Sequence, residues 1–153
     1  MISSMNIFSV LHGYKQKNKE EQYQIMQGLI ENGDIDILKF LLNPVYNYEI
    51  TTSDGKNSIL HSACHSGILE IVKLIVNNKL VDINHRDYLG RTGLLIAILF
   101  HNHKTVEFLL SKGADPNIPT YSGKSAIQYA IERNDDISLE FIEKYNSLLN
   151  KPL

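Results

Sequence analysis

Apolar residues fall into the same short phrase four times along this chain. Leu60, Ala63 and Cys64 stand at i, i+3 and i+4, one face of a helix. Gly67 follows, a residue able to take positive φ at a helix end. Ile68, Ile71, Val72, Ile75 and Val76 then draw the apolar stripe of a second helix, which Asn77 and Asn78 stop. Ala97-Ile98, His101, Thr105-Val106, Leu109 and Leu110 repeat the phrase and end at Lys112-Gly113. Ala130-Ile131, Asn134 and Ser138-Leu139 make another copy, and Leu29-Ile30, Gly33 and Ile37-Leu38 a weaker one.

The copies keep a period. Ala63 follows Leu29 by 34 residues, Ala97 follows Ala63 by 34, and Ala130 follows Ala97 by 33. A period of this size marks stacked repeats. It predicts units at about 22–52, 53–86, 87–119 and 120–149, within a domain spanning 21–153. The pattern assigns no structure to residues 1–20. Between the units lie Ser53-Asp54-Gly55, Asp87-Tyr88-Leu89-Gly90 and Thr120-Tyr121-Ser122-Gly123, which read as β-turn fingers. Two short helices cannot bury their apolar faces alone, so each unit must stack on the next. The predicted fold class is therefore all-α, a solenoid of helix-turn-helix units. Glu140, Glu143, Lys144 and Asn146 give the last helix the polar side of a terminal cap. The first unit matches least well, as an N-terminal cap does.

These residues resemble the ankyrin-repeat family. Ser58-Ile59-Leu60-His61-Ser62-Ala63-Cys64-His65-Ser66-Gly67 is similar to the pattern T-P-L-H-x-A-A-x-x-G. Leu109-Leu110-Ser111-Lys112-Gly113-Ala114-Asp115-Pro116-Asn117 is similar to L-L-x-x-G-A-D-x-N, with a looser copy at Val81-Asp82-Ile83-Asn84. Thr92-Gly93-Leu94-Leu95 and Ser125-Ala126-Ile127-Gln128 open the later units. Ser58, Thr92 and Ser125 carry hydroxyls suited to capping a helix N-terminus. The family's Pro is absent and its His survives only as His61, which weakens the hydrogen bonding expected between units.

Composition narrows the partner. The 153 residues are 43% hydrophobic and 21% charged, with a formal net charge of −2. Binding to nucleic acid or an anionic membrane rests on clustered Lys and Arg. The one basic cluster, Lys15, Lys17 and Lys19, runs straight into Glu20 and Glu21 and reads as a solvated face. Neither partner is expected. No apolar run is long enough for a membrane span, and Ile7, Phe8, Val10 and Leu11 lack the flanks of a secretory signal. Cys64 is the single cysteine, which fits a reducing, cytoplasmic compartment.

Candidate chemistry is sparse. His61 and His65 stand at i, i+4 and Cys64 lies between them, so a metal or a Cys/His pair is the remote alternative. The resemblance implies instead a structural His61 and a Cys64 at a core position. His101 and His103 flank Asn102. Residues two apart on a helix face different ways, so no shared site is expected of them. No phosphate-binding glycine motif is present. The expectation is a non-enzyme without metal or cofactor.

One helix breaks the pattern. Leu94-Leu95-Ile96-Ala97-Ile98-Leu99-Phe100 is apolar all round. The resemblance implies that Ile96, Leu99 and Phe100 occupy variable positions facing a concave groove. Their counterparts are Ser62, His65 and Ser66 in one unit and Tyr129, Glu132 and Arg133 in another. Exposed apolar groups mark binding surfaces, and aromatics are enriched there. Tyr88 and Leu89 lie at one finger tip and Tyr121 at the next. The predicted partner-binding residues are Tyr88, Leu89, Ile96, Leu99, Phe100, Tyr121, Tyr129 and Arg133. Two plainer readings stand beside this one: a central helix wholly buried in the core, or one covered by the segment around Ile7 and Phe8. The predicted function is that of a monomeric module, an adaptor or inhibitor, binding another protein through its groove and fingers. The alternative is a host-directed effector of a pathogen or virus, intracellular in the host, or a toxin-neutralising immunity protein on the same scaffold. A ligase-recruiting viral effector is not expected, because the sequence ends at Lys151-Pro152-Leu153.

Overall fold

The structure, a computed structural model, describes residues 12–43, 50–52 and 54–149. Its helices are α1 (Lys19–Asn32), α2 (Ile35–Leu41), α3 (Ile59–Ser66), α4 (Leu69–Asn77), α5 (Gly93–Leu99), α6 (His103–Ser111), α7 (Ala126–Glu132) and α8 (Asp136–Leu149). They form consecutive hairpins. The first members, α1, α3, α5 and α7, pack side by side in one layer, and α2, α4, α6 and α8 in a second. No strand occurs among the described residues; one isolated antiparallel bridge joins Thr51 to Ser58. This is the all-α solenoid that the period predicts.

Each hairpin turns at the same place in the phrase. Gly33, Gly67, His101 and Asn134 all sit in the left-handed region, at φ 73, 72, 55 and 53. In three of the four the next N–H then reaches back along the first helix. Asp34 donates to the carbonyl of Leu29, Asn102 to that of Ala97 and Asp135 to that of Ala130, each at 2.9 Å. The acceptors are the residues that set the period. Ala63, Ala97 and Ala130 are wholly buried.

The fingers repeat one hydrogen-bond scheme. Thr52 donates to Asn57, Asp87 to Arg91 and Thr120 to Lys124, at 2.8, 2.9 and 2.9 Å between backbone groups. Neighbouring fingers are joined as well. The Tyr121 N–H donates to the Leu89 carbonyl at 3.1 Å, and the Arg86 guanidinium to the Pro119 carbonyl at 2.6 Å. Gly90 lies in this contact at φ 79, where a Cβ would come within 2.7 Å of the Tyr121 nitrogen.

The cap residues act as read, with one difference. Thr92 Oγ1 accepts from the Leu95 N–H at 3.3 Å, and Ser125 Oγ from that of Gln128 at 3.5 Å. At Ser58 the backbone N–H donates to His61 Nδ1 at 3.1 Å. The other ring nitrogen, Nε2, stands 3.1 Å from the His85 carbonyl. Nδ1 accepts and Nε2 therefore donates, so the imidazole is neutral. Burial lowers its pKa, in keeping with that form. Leu95 and Gln128 hold the equivalent positions. Gln128 Oε1 accepts from the Ser125 N–H at 2.8 Å and replaces one of the two bonds. The loss expected at Leu95 is offset by other groups. Asn102 donates to the Cys64 carbonyl at 2.8 Å, and Asn84 accepts from the Asp115 N–H at 2.9 Å.

The N-terminal hairpin differs most from the others. Asn18 and Glu21 close a reciprocal capping box at 2.9 and 3.1 Å, and α1 runs for 14 residues. It starts two residues before the domain boundary expected at residue 21. Tyr14 is buried ahead of it, its hydroxyl on the Gln22 carbonyl at 3.2 Å.

Two outcomes follow from these contacts. Gly113 sits at φ 89 with open space where a Cβ would stand, so Gly113→Ala should cost about 1–2 kcal/mol from the left-handed backbone alone. Gly90→Ala adds a clash with the next finger and should cost about 1–3 kcal/mol more, read by denaturant unfolding. For His61, the unfolded chain takes up a proton near 6.5 and the folded chain only at lower pH. Between those values the unfolded state binds more protons, so stability rises with pH across that window and is fully present above it. His61→Gln should flatten this part of a stability-against-pH curve, since Gln128 already fills the same role in the last unit.

Candidate functional site

The first three hairpins enclose an open groove of about 490 Å³ between their first helices and the fingers. Phe100, Tyr88, Ile96, His65, Arg91 and Tyr23 line it, with Glu20 and Glu31 along the α1 side. Phe100 follows the last residue of α5, and the left-handed His101 comes next. Chain reversal there leaves Phe100 49% exposed. Its edge meets the His65 ring, with centroids 4.2 Å apart and planes at 76°.

The apolar helix divides by depth. Phe100 is exposed, Leu99 is half-buried and Ile96 is only 4% exposed, although it still touches the groove. Leu94, Leu95, Ala97 and Ile98 are core. The sequence reading set Ile96, Leu99 and Phe100 alike on a variable, groove-facing surface. The helix instead sits between two neighbours, and only Phe100, just past its end, is exposed. The alternative of a cover by Ile7 and Phe8 lies outside the described residues.

The finger tips stand clear of the core. Tyr121 is 70% exposed, Tyr88 56%, and Leu89 is exposed as well. The Arg86 guanidinium lies 4.6 Å from the Tyr121 ring centre. Arg91 stands 5.8 Å from that of Tyr88 while its guanidinium pairs with Asp87 at 2.7 Å. Of the eight expected residues, Tyr88, Ile96 and Phe100 share the groove. Leu89 and Tyr121 belong to adjoining finger tips joined by the backbone bond already described. Leu99, Tyr129 and Arg133 do not line the groove; Arg133 donates to the Leu99 carbonyl at 3.4 Å between hairpins.

Tyr23, His65 and Arg91 were not among the expected residues. Tyr23 is buried on the lengthened α1, burial raises its phenol pKa, and Ser62 is its hydrogen-bond partner. Its signal is in the sequence: Tyr23, Met26 and Ile30 keep helical spacing behind an Asn18–Glu21 capping box. The unit expected from residue 22 cuts through this helix. His65 had a signal too, as the counterpart of Leu99 at a groove-facing position of the repeat; Arg91 gives none, because its place comes from neighbouring hairpins.

The remote alternative at His61 and His65 has no support in the geometry. Both nitrogens of His61 are engaged by backbone and cap groups, and His65 lies against Phe100. Cys64 is wholly buried, and burial pushes its thiol pKa up, away from the reactive thiolate.

A family model of ankyrin repeats matches residues 25–120 in three copies. The ADP-ribosylation factor GTPase-activating protein AGD4 of Arabidopsis thaliana is 41% identical over 75 residues, 49% of this chain and 10% of that protein. The ankyrin repeat protein L92 of Acanthamoeba polyphaga mimivirus is 35% identical over 74 residues, 46% of this chain and 18% of its own length. The ankyrin repeat protein YahD of Escherichia coli (strain K12) is 29% identical over 123 residues, 76% of this chain and 61% of that one. The chain thus spans between a tenth and about three fifths of these curated relatives. The activity named for AGD4 does not come across with a match to a tenth of it. No helix among the described residues is long and apolar enough to cross a membrane.

Depth along α5 fixes what substitutions there should do. Ile96→Ala should cost about 2–4 kcal/mol, as a core truncation does. Phe100→Ala should change stability by less than about 1 kcal/mol, because the residue is already about half exposed. Thermal melts of the two single variants separate these outcomes.

Proposed function

The chain belongs to the ankyrin-repeat family, whose general role is protein interaction, and from that premise we propose that it seats an apolar or aromatic side chain of a partner protein between Tyr88 and Phe100. The observation that carries this reading is the pair itself. Two large aromatic side chains stay about half exposed on the walls of one groove, while α5 from Gly93 to Ile98 is buried. Water gains nothing from such groups, and a partner that covers them gains roughly 1.5–3 kcal/mol for each before ordering costs. His65 and Arg91 hold the two rings from behind, so little side-chain freedom is lost on binding. Leu89 and Tyr121 extend the same surface along the fingers. The rim carries Glu20 and Glu31 and no cluster of Lys or Arg, which supports a protein partner over a nucleic acid.

The finer readings, an adaptor, a host-directed effector or a toxin-neutralising inhibitor, would all use this surface. Relatives from a plant, a virus and a bacterium share the scaffold and favour none of them. The test uses Phe100→Ser and Tyr88→Ala, each shown to melt like the parent. Cross-linked capture from the source cell should yield a protein with the parent chain and lose it with both variants. A partner held equally by all three chains overturns the groove reading. The single exposed residues are the right probes: Ile96→Ser would damage the core and confuse binding with folding.

A further inference from the structure

The turn between α5 and α6 lies against the turn between α7 and α8, and three metal-ligating side chains meet there. His103 is the first residue of α6, and its Nε2 stands 2.9 Å from Asp135 Oδ1. His101 occupies the left-handed turn position just before it, and its Nδ1 stands 3.7 Å from Asp135 Oδ2. The imidazole centroids are 5.9 Å apart. One ligand atom from each of the three residues lies within 4.8 Å of the others, and no other trio of this kind occurs among the described residues. The sequence reading expected His101 and His103 to diverge, as residues two apart on one helix do. They are not on one helix. The reversal at His101 turns its ring back beside that of His103.

We propose that His101, His103 and Asp135 bind a divalent transition-metal ion of the Zn²⁺ type. The donor set is two imidazoles and a carboxylate, which suits Zn²⁺, Co²⁺ or Ni²⁺ rather than Mg²⁺ or Ca²⁺. Ligand atoms about 2.0–2.1 Å from a tetrahedral ion stand about 3.3 Å apart; here His103 lies 2.9 Å from Asp135 Oδ1 and His101 3.7 Å from Asp135 Oδ2, one imidazole at each carboxylate oxygen and on either side of that spacing. The carboxylate is already oriented. Asp135 is buried, and Ser138 donates to it twice, from Oγ at 2.7 Å and from its backbone N–H at 3.1 Å. A carboxylate offers about four lone-pair sites, so these two bonds fix its plane and leave the side toward the histidines open. The ion takes the place of the proton that His103 Nε2 and Asp135 now share. The His101 side chain is 53% exposed, which leaves a fourth position to water. Gly33 and Gly67 fill the same turn position in the first two hairpins, so a histidine is not what the backbone there requires. The bound ion ties the third hairpin to the fourth.

The test titrates Zn²⁺ and Co²⁺ into tag-free chain that has been stripped with a chelator. One ion per chain is expected, with the visible absorption of four-coordinate Co²⁺, displacement by Zn²⁺, and a melting temperature that rises with Zn²⁺. His101→Gly should weaken binding about tenfold or more while melting no earlier without metal, since glycine is at home in that turn. His103→Gln should lose binding too, and His65→Ala should keep it. No saturable one-to-one binding by the parent chain, or binding unchanged in both His101→Gly and His103→Gln, overturns the proposal.

Discussion

How closely the first helices of neighbouring hairpins can approach is the constraint on which the rest of this structure depends. A Cβ on Gly93, at the start of α5, would lie 3.0 Å from the sulfur of Cys64 on α3, and 3.3 Å from Leu60. Ala63, Ala97 and Ala130 repeat that small size down the layer. With larger residues there, the hairpins would stand further apart and the stripes of Ile71, Val72 and Val106 would lose their cover. Nothing else in a two-helix unit could hold it together, since neither helix is long enough to be stable alone.

The polar contacts between hairpins presuppose the same spacing. Asn102 reaches the Cys64 carbonyl, Asn84 the Asp115 N–H, and Arg86 the Pro119 carbonyl, each from one unit to the next. These bonds span 31 to 38 residues of sequence, close to one period. They work because stacked units put equivalent groups at equivalent heights. That is also why the missing histidine at Leu95 does little harm. The register is set by packing, and any donor at the right height can use it. Hydrogen bonds of this kind select one register over others more than they add net stability.

Much of this was legible because the fold repeats. A small residue, a turn residue and an apolar pair, seen four times, place each helix and mark the turn positions Gly33, Gly67, His101 and Asn134, which the structure holds in the left-handed region. What repeats cannot encode is the part each unit does differently. Ile96 and Phe100 are both apolar and four residues apart, yet neighbouring hairpins bury one and leave the other half exposed. Only the stack decides that. The lengthened α1 is hidden because a period drawn from shorter units cuts it at residue 22, although its capping box and the spacing of Tyr23, Met26 and Ile30 mark it as a helix. The meeting of His101 and His103 is hidden because helix spacing does not hold across a turn, and the period marks His101 as a turn position without saying where its ring goes.

Phe100 and His101 are consecutive, and the left-handed turn sends their side chains to different neighbours. One ring meets His65 at the edge of the groove, and the other meets Asp135 in the next hairpin. The end of α5 is thus held from both sides. Each of those contacts narrows the freedom of the backbone that carries the other. A partner that packs on Phe100 meets a ring whose position depends on the turn behind it. An ion held by His101, His103 and Asp135 steadies the same turn without touching the groove.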